Sequence, residues 1–289
     1  MGFDIIFVGD IVLDMVGNKK ILGGSSFYAA YVSSRLGKKV CIYSCLPEEA
    51  KREIEFIKTF STIVGKHCKS SIKFKNEYDK DGNRKQLVFG VGKDKRLSSD
   101  FLKQMKIKTK AVCICPVINE LSVKDTCEIL RYYKSSIKFL SLQGFGRREI
   151  NNMVFPKKVI RGIGSLIKNA DVVVFSDEDI TDYERFVHRY MDSKIFVVTM
   201  GKKGALLFKD GERLHIPIYE KAKRVDPTGA GDTFLSALIT RYIETYDIYE
   251  SCLFASCAAS VIIEDQWINR IRKCKNFRKV VEDRLGSLR

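Results

Sequence analysis

The string Arg224-Val225-Asp226-Pro227-Thr228-Gly229-Ala230-Gly231-Asp232-Thr233-Phe234 has the residue types of an anion cradle set beside a base. Pro227 and the glycines supply a turn, and the apolar Leu235, Ala237, Leu238 and Ile239 read as the buried face of a helix that starts there. The first amides of a helix have no partner within it, and residues as small as 229–231 let an anion approach them. Asp232 falls in the same first turn and is expected to face the same space. This pairing suits phosphoryl transfer to a hydroxyl. The carboxylate takes the proton, and the amides of Gly229, Ala230 and Gly231 hold the developing charge. The blander alternative is a Gly-rich turn with an aspartate matched to the helix dipole.

Something must position that turn. Strand patterns fall at 5–8, 40–43, 111–115, 138–142, 171–175, 195–199 and 205–208, with helical patterns at 25–36, 48–59, 122–133 and 179–190. Continuous apolar strands alternating with amphipathic helices predict a largely parallel sheet covered on both faces. Two strongly apolar helices are expected at about 231–244 and 249–263. Residues 11–22, with a Gly17-Asn18 turn, and 71–91, alternating around Asp81-Gly82, predict hairpins with one polar face, and hence a small separate sheet.

The 289 residues carry 51 Lys+Arg against 35 Asp+Glu, a formal +16. Residues 66–110 hold +9 of it and 268–289 hold +6, so the other 222 residues are nearly neutral. Lysines in the first segment suit a hairpin closing on an anionic ligand, and the second reads as an amphipathic helix with a basic face. The aromatic platforms of a single-strand binder and DNA-reading motifs are absent, which argues against nucleic acid. The apolar stretch 252–263 is too short to span a bilayer. Asp4 comes early and no basic leader precedes it, so a cytoplasmic protein is expected. Nine cysteines without CxxC spacing read as small buried hydrophobes in a reducing compartment.

Asp226-Pro227-Thr228-Gly229-Ala230-Gly231-Asp232-Thr233-Phe234 resembles the C-terminal signature of the ribokinase-like (PfkB) carbohydrate kinases. Val8-Gly9-Asp10-Ile11-Val12-Leu13-Asp14 resembles that family's first strand, ending in the aspartate that binds substrate hydroxyls. Leu22-Gly23-Gly24-Ser25-Ser26-Phe27-Tyr28-Ala29-Ala30, followed by Arg35-Leu36-Gly37, is similar to its Gly-Gly hinge and first helix. Val198-Thr199-Met200-Gly201-Lys202-Lys203-Gly204 is similar to its nucleotide-side turn. The resemblance implies an α/β fold: a three-layer sandwich with a mostly parallel central sheet, formed as a single domain over 1–289, and a β-lid from 11–22 and 71–91. It implies a kinase using ATP and Mg²⁺ on a sugar or polyol, with Asp232 as general base. It places Thr199, Gly201, Gly204, Asp226 and Thr228 at ATP, and Asp14, Gly23, Gly24 and Tyr28 at the acceptor.

Two strings depart from the family pattern. Its Asn-x-x-Glu element is here Ser176-Asp177-Glu178-Asp179, leaving Glu178 and Asp179 as candidates to hold Mg²⁺ through water. Tyr28 stands where ribokinases place a sugar-binding Asn, which counts against ribose. Leu140-Ser141-Leu142-Gln143-Gly144-Phe145-Gly146-Arg147-Arg148 resembles the Gln-Gly-x-x-Arg element of inositol-kinase-like members, and adds Gln143 and Arg147 to the acceptor side. Phe74-x-Asn76-x-Tyr78 and Gly82-Asn83-Arg84-x-Gln86 resemble the lid of that branch. A nucleoside kinase is the alternative within enzymes. A catalytically idle ligand sensor or nucleic-acid binder on the same fold is the alternative outside them. A monomer or a homodimer is compatible with the sequence.

Overall fold

Runs such as Val172–Ser176 and Ile195–Thr199 are apolar on both faces, and strands of that kind are stable only where helices cover both sides. The computed structural model describes residues 2–17, 19–78, 84–157, 159–223, 225–265, 271 and 273–288, and it builds that arrangement. Asn18, Asp81, Gly82, Asn83, Arg224 and Ile268, used in the sequence reading, lie outside the described residues. A nine-stranded sheet runs in the spatial order Glu212–Ile216, Ala205–Lys209, Ile195–Thr199, Val172–Ser176, Ile137–Ser141, Lys108–Ile114, Gly2–Val8, Val40–Tyr43, Thr62–Val64. All neighbours are parallel except the first three strands of that order, whose two pairings are antiparallel. The fold is α/β, with a mostly parallel sheet between two helical layers.

The period of two along each strand assigns the layers. Ile5, Phe7, Ala111 and Cys113 pack with the helices Ser25–Arg35, Ala230–Thr245 and Ile248–Ile262. Ile6, Val8, Val112 and Ile114 pack on the opposite face, against helices that include Val123–Tyr132 and Ile163–Asn169. The chain leaves Gly2–Val8 toward Val40–Tyr43 on one side and Lys108–Ile114 lies on the other, so loops diverge at the carboxyl ends of these central strands. That is where open α/β sheets place ligands.

A second sheet covers those ends, in the order Arg147–Ile150, Met153–Pro156, Arg84–Phe89, Ile72–Tyr78, Val12–Val16, Lys19–Gly23. Four of its strands fall within the hairpins expected at 11–22 and 71–91. The other two were not expected: residues from 147 form a hairpin that joins at Met153↔Leu87. The missed signal is Asn151-Asn152, both at positive φ, the pair that a tight hairpin turn requires. The helix expected over 179–190 is also shorter, spanning Tyr183–His188. Asp179 folds back to accept a hydrogen bond from the Ser176 amide at 2.9 Å, and this turn consumes the residues before it.

The basic C-terminal segment is docked. Phe277, Val281 and Leu285 of the helix Phe277–Leu288 recur every fourth residue and are buried. Arg278 pairs with Glu244 at 2.7 Å and donates to the Leu36 carbonyl at 3.0 Å. Arg284 pairs with Glu264 at 2.8 Å and lies over the Tyr219 ring. Part of the tail's charge is therefore spent on the protein's own acids. Among the described residues no helix is long and apolar enough to cross a membrane. Phe277→Ala is expected to lower the unfolding free energy by about 3–5 kcal/mol in urea titrations; a loss under about 1 kcal/mol would show that the tail is not part of the core.

Candidate active site

A cavity of about 750 Å³ opens between the carboxyl ends of the large sheet and the second sheet. Its floor is the first turn of Ala230–Thr245. Gly229 caps that helix at φ 74°, a left-handed conformation that costs little only at glycine. The approach to it is fixed by Thr228, whose amide donates to Asp226 Oδ1 at 2.9 Å, and by Val225, whose amide donates to the Ile263 carbonyl at 2.7 Å. The Ala230 amide donates to the Pro227 carbonyl at 3.1 Å. The amides of Gly231 and Asp232 find no backbone acceptor among the described residues, which leaves them for a ligand.

Asp232 is half-buried on the cavity wall. Burial pushes its carboxyl above the usual range, and the charge of Asp179 adds to this. A hydrogen bond from Ser25 and the Arg147 guanidinium act in the opposite sense. The Ser25 hydroxyl also lies 3.5 Å from Gln143 Oε1, so it stands between Asp232 and Gln143. Ser25 was not singled out in the sequence; its signal was a polar residue at the helix start behind Gly23-Gly24.

Asp14 stands across the cavity on Val12–Val16. Its carboxylate packs against Gly23 of the neighbouring strand so closely that a Cβ there would sit 2.2 Å from Oδ2. Gly23 thus shapes the site from behind, without lining it. The Tyr28 hydroxyl donates to Asp14 Oδ2 at 3.4 Å. Burial raises the Asp14 carboxyl to about 6, against the Tyr28 hydrogen bond and with the charge of Asp232. Burial likewise pushes the Tyr28 hydroxyl up, so it remains a donor.

Arg147 and Asp179 complete the wall. Burial raises Asp179, while the Ser176 amide and Arg147 lower it. The cavity also brings in Gly24, Gln143, Thr199, Asp226, Thr228, Gly229 and Gly231. It does not reach Ala230, Gly201, Gly204 or Glu178. Phe74, Lys75, Asn76 and Gln86 of the second sheet face it, with Gln86 donating to Asn76 at 3.1 Å.

Residues 160–267 match the pfkB family carbohydrate kinases. Over that stretch the chain is similar to that family. Known proteins similar to it include inositol 3-kinase of Arabidopsis thaliana, 26% identical over 155 residues, which are 54% of this chain and 38% of that protein. A nucleoside kinase of Methanocaldococcus jannaschii is 32% identical over 68 residues, 24% of this chain and 22% of that one. The matched stretches thus span well under half of these relatives' lengths. In three dimensions the chain resembles a pyrophosphate-dependent kinase of the ribokinase family solved with a pyrophosphate analogue and myo-inositol. The TM-score is 0.76 at 20% identity, over 90% of this chain and 94% of that one. At that identity the likeness establishes the ribokinase fold.

The raised carboxyl of Asp14 has a consequence for stability. An acid with a folded-state value above its unfolded one binds its proton more tightly when folded, so the protein loses stability as pH rises from about 4 through about 6. Asp14→Asn should match the wild type in urea unfolding at pH 4 and exceed it at pH 7. An unchanged difference between the two pH values would contradict the burial of this carboxylate.

Proposed function

We propose that this cavity transfers a phosphoryl group to a hydroxyl of a small polyol of the inositol kind. The observation that carries this is Asp232, a carboxylate held beside unpartnered helix amides and facing Asp14 across one cavity. Asp14 and Tyr28 orient the acceptor hydroxyls. Asp232 accepts the proton of the attacking hydroxyl as the oxygen–phosphorus bond forms. The amides of Gly231 and Asp232 and the Arg147 guanidinium offset the charge spread over the transferring group. The second sheet, carrying Lys75 and Asn76, acts as a lid that keeps water from competing.

ATP is the donor suggested by the sequence resemblance, and pyrophosphate by the similar fold solved with its analogue. Either would bring its terminal phosphate to the same helix N-terminus. Of the two carboxylates suggested for Mg²⁺, Asp179 reaches the cavity and Glu178 does not. Among the described residues no group of three His, Cys, Asp or Glu could hold a metal by itself. One carboxylate acting through water, together with donor phosphates, fits the way Mg²⁺ is usually held. The ion would supply charge neutralisation at the donor.

The match to a nucleoside kinase favours a second reading, in which the acceptor is a nucleoside. Turnover measured with ATP and with pyrophosphate on inositols, hexoses, ribose and nucleosides separates the two. A kcat/KM for myo-inositol at least tenfold above any nucleoside is expected, and the reverse order overturns the assignment. Asp232→Asn should lower kcat on the preferred acceptor by about 10²–10⁴-fold. A loss within tenfold contradicts the role of the base.

A further inference from the structure

One carboxylate outside the cavity grips the second sheet from behind. The 3₁₀ turn Glu48–Ala50 follows the short strand Leu46–Pro47, which runs parallel to His67–Cys68 with Pro47 opposite Cys68. That pairing brings Glu49 to the root of the second sheet, where Ser71 precedes the strand Ile72–Tyr78. Glu49 Oε1 accepts the Ser71 amide at 2.8 Å and the Lys73 ammonium at 2.7 Å, and Oε2 accepts the Lys20 ammonium at 3.0 Å. Burial acts to raise this carboxyl, but Lys73, the Ser71 amide and Lys20 outweigh it and bring it to about 2. Glu49 is therefore ionised at neutral pH.

The two lysines flank Asp14. Its strand Val12–Val16 lies between Ile72–Tyr78 and Lys19–Gly23, with Lys73 opposite Leu13 and Lys20 opposite Met15. Opposed residues share a face and successive residues alternate, so both lysines stand on the face away from Asp14. Neither they nor Glu49 lines the cavity. Glu49 itself belongs to the body of the fold. It leads into the helix Lys51–Lys58, whose Ile54 and Ile57 pack in the core on one face of the large sheet. A single exposed ion pair holds little, but one carboxylate shared by two ammoniums and an amide is a network.

We propose that Glu49 is a positioning residue for the acceptor: by tying both neighbours of the Asp14 strand to the body, it fixes where Asp14 stands relative to Asp232. This rests on the reading of the cavity as a phosphoryl-transfer site. The two substrates are affected unequally. The acceptor is held by Asp14 on the second sheet, whereas the donor phosphates meet the start of the helix Ala230–Thr245, which is part of the body. Loosening the grip of Glu49 lets the second sheet move and weakens the hold on the acceptor, while the helix amides stay in place. Lys73 belongs to the lysine-rich segment suited to an anionic ligand, yet its charge goes to Glu49.

The test compares the full-length wild type with Glu49→Gln and Lys73→Met, alone and combined, by amide hydrogen exchange and by steady-state kinetics on the preferred acceptor and donor. Exchange over 12–16 and 72–78 should quicken about fivefold in Glu49→Gln, and less in Lys73→Met, which leaves Lys20 paired; 230–245 should not change. The acceptor KM should rise about fivefold while the donor KM moves by less than about twofold. The combined variant should match Glu49→Gln, because Lys73 has already lost its partner. Should Glu49→Gln fail to fold, Lys73→Met and Lys20→Met, singly and together, decide by the same readouts. Unchanged exchange over 12–16 and 72–78, additive effects of Glu49→Gln and Lys73→Met, or equal shifts in the two KM values overturns the proposal. A wild type that turns over no acceptor overturns the phosphoryl-transfer reading instead, and hydrogen exchange alone then decides whether Glu49 holds the sheet.

Discussion

The site depends on keeping carboxylates ionisable where protein has replaced most of their water. Asp14, Asp179 and Asp232 face one cavity, and burial raises all three. Arg147 is the cation that opposes this at both Asp179 and Asp232. The helix N-terminus adds a fixed positive potential at the cavity floor. The balance leaves Asp232 more basic than an aspartate in water while still close to a positive group, the combination that suits proton abstraction followed by charge neutralisation.

Arg147 reaches that position because it opens the hairpin that joins the second sheet. The electrostatics of Asp232 and the placement of the second sheet are thereby carried by one element. Backbone contacts fix the rest. Gly24 lies so near the Asp10 carbonyl that a Cβ would be 2.6 Å away. The buried Glu120 carboxylate accepts the amides of Asp10, Val117 and Ile118, binding the loops after two central strands together. Asp10 beside it is raised by burial and by the charge of Glu120.

Much of this was legible in residue order, because it rests on local chemistry. The period-two and helical patterns were sufficient for the central strands of the large sheet and their layers, though not for the short edge strand Thr62–Val64, and the Asp226-to-Phe234 string marked the helix start. What escaped depended on contacts distant in sequence. The hairpin from Arg147 carries charged residues on an exposed strand, so its pattern resembles a loop until it pairs with Leu87. Ser25 gains its meaning only where a helix start meets another helix start. Gly23, expected at the acceptor, lies behind Asp14 and lets that carboxylate pack flat against its backbone. The tail's basic residues were counted as excess because Glu244 and Glu264, which pair with Arg278 and Arg284, lie elsewhere in the chain.

The central claim is that burial raises Asp232 while Arg147 holds the rise in check. Carboxyl carbon-13 NMR, following Asp232 through a pH titration in the wild type and in Arg147→Met, tests it directly. The account predicts a wild-type midpoint above 3.8 and a higher one without the guanidinium. An ordinary aspartate midpoint in the wild type, or the same midpoint in both proteins, would contradict it.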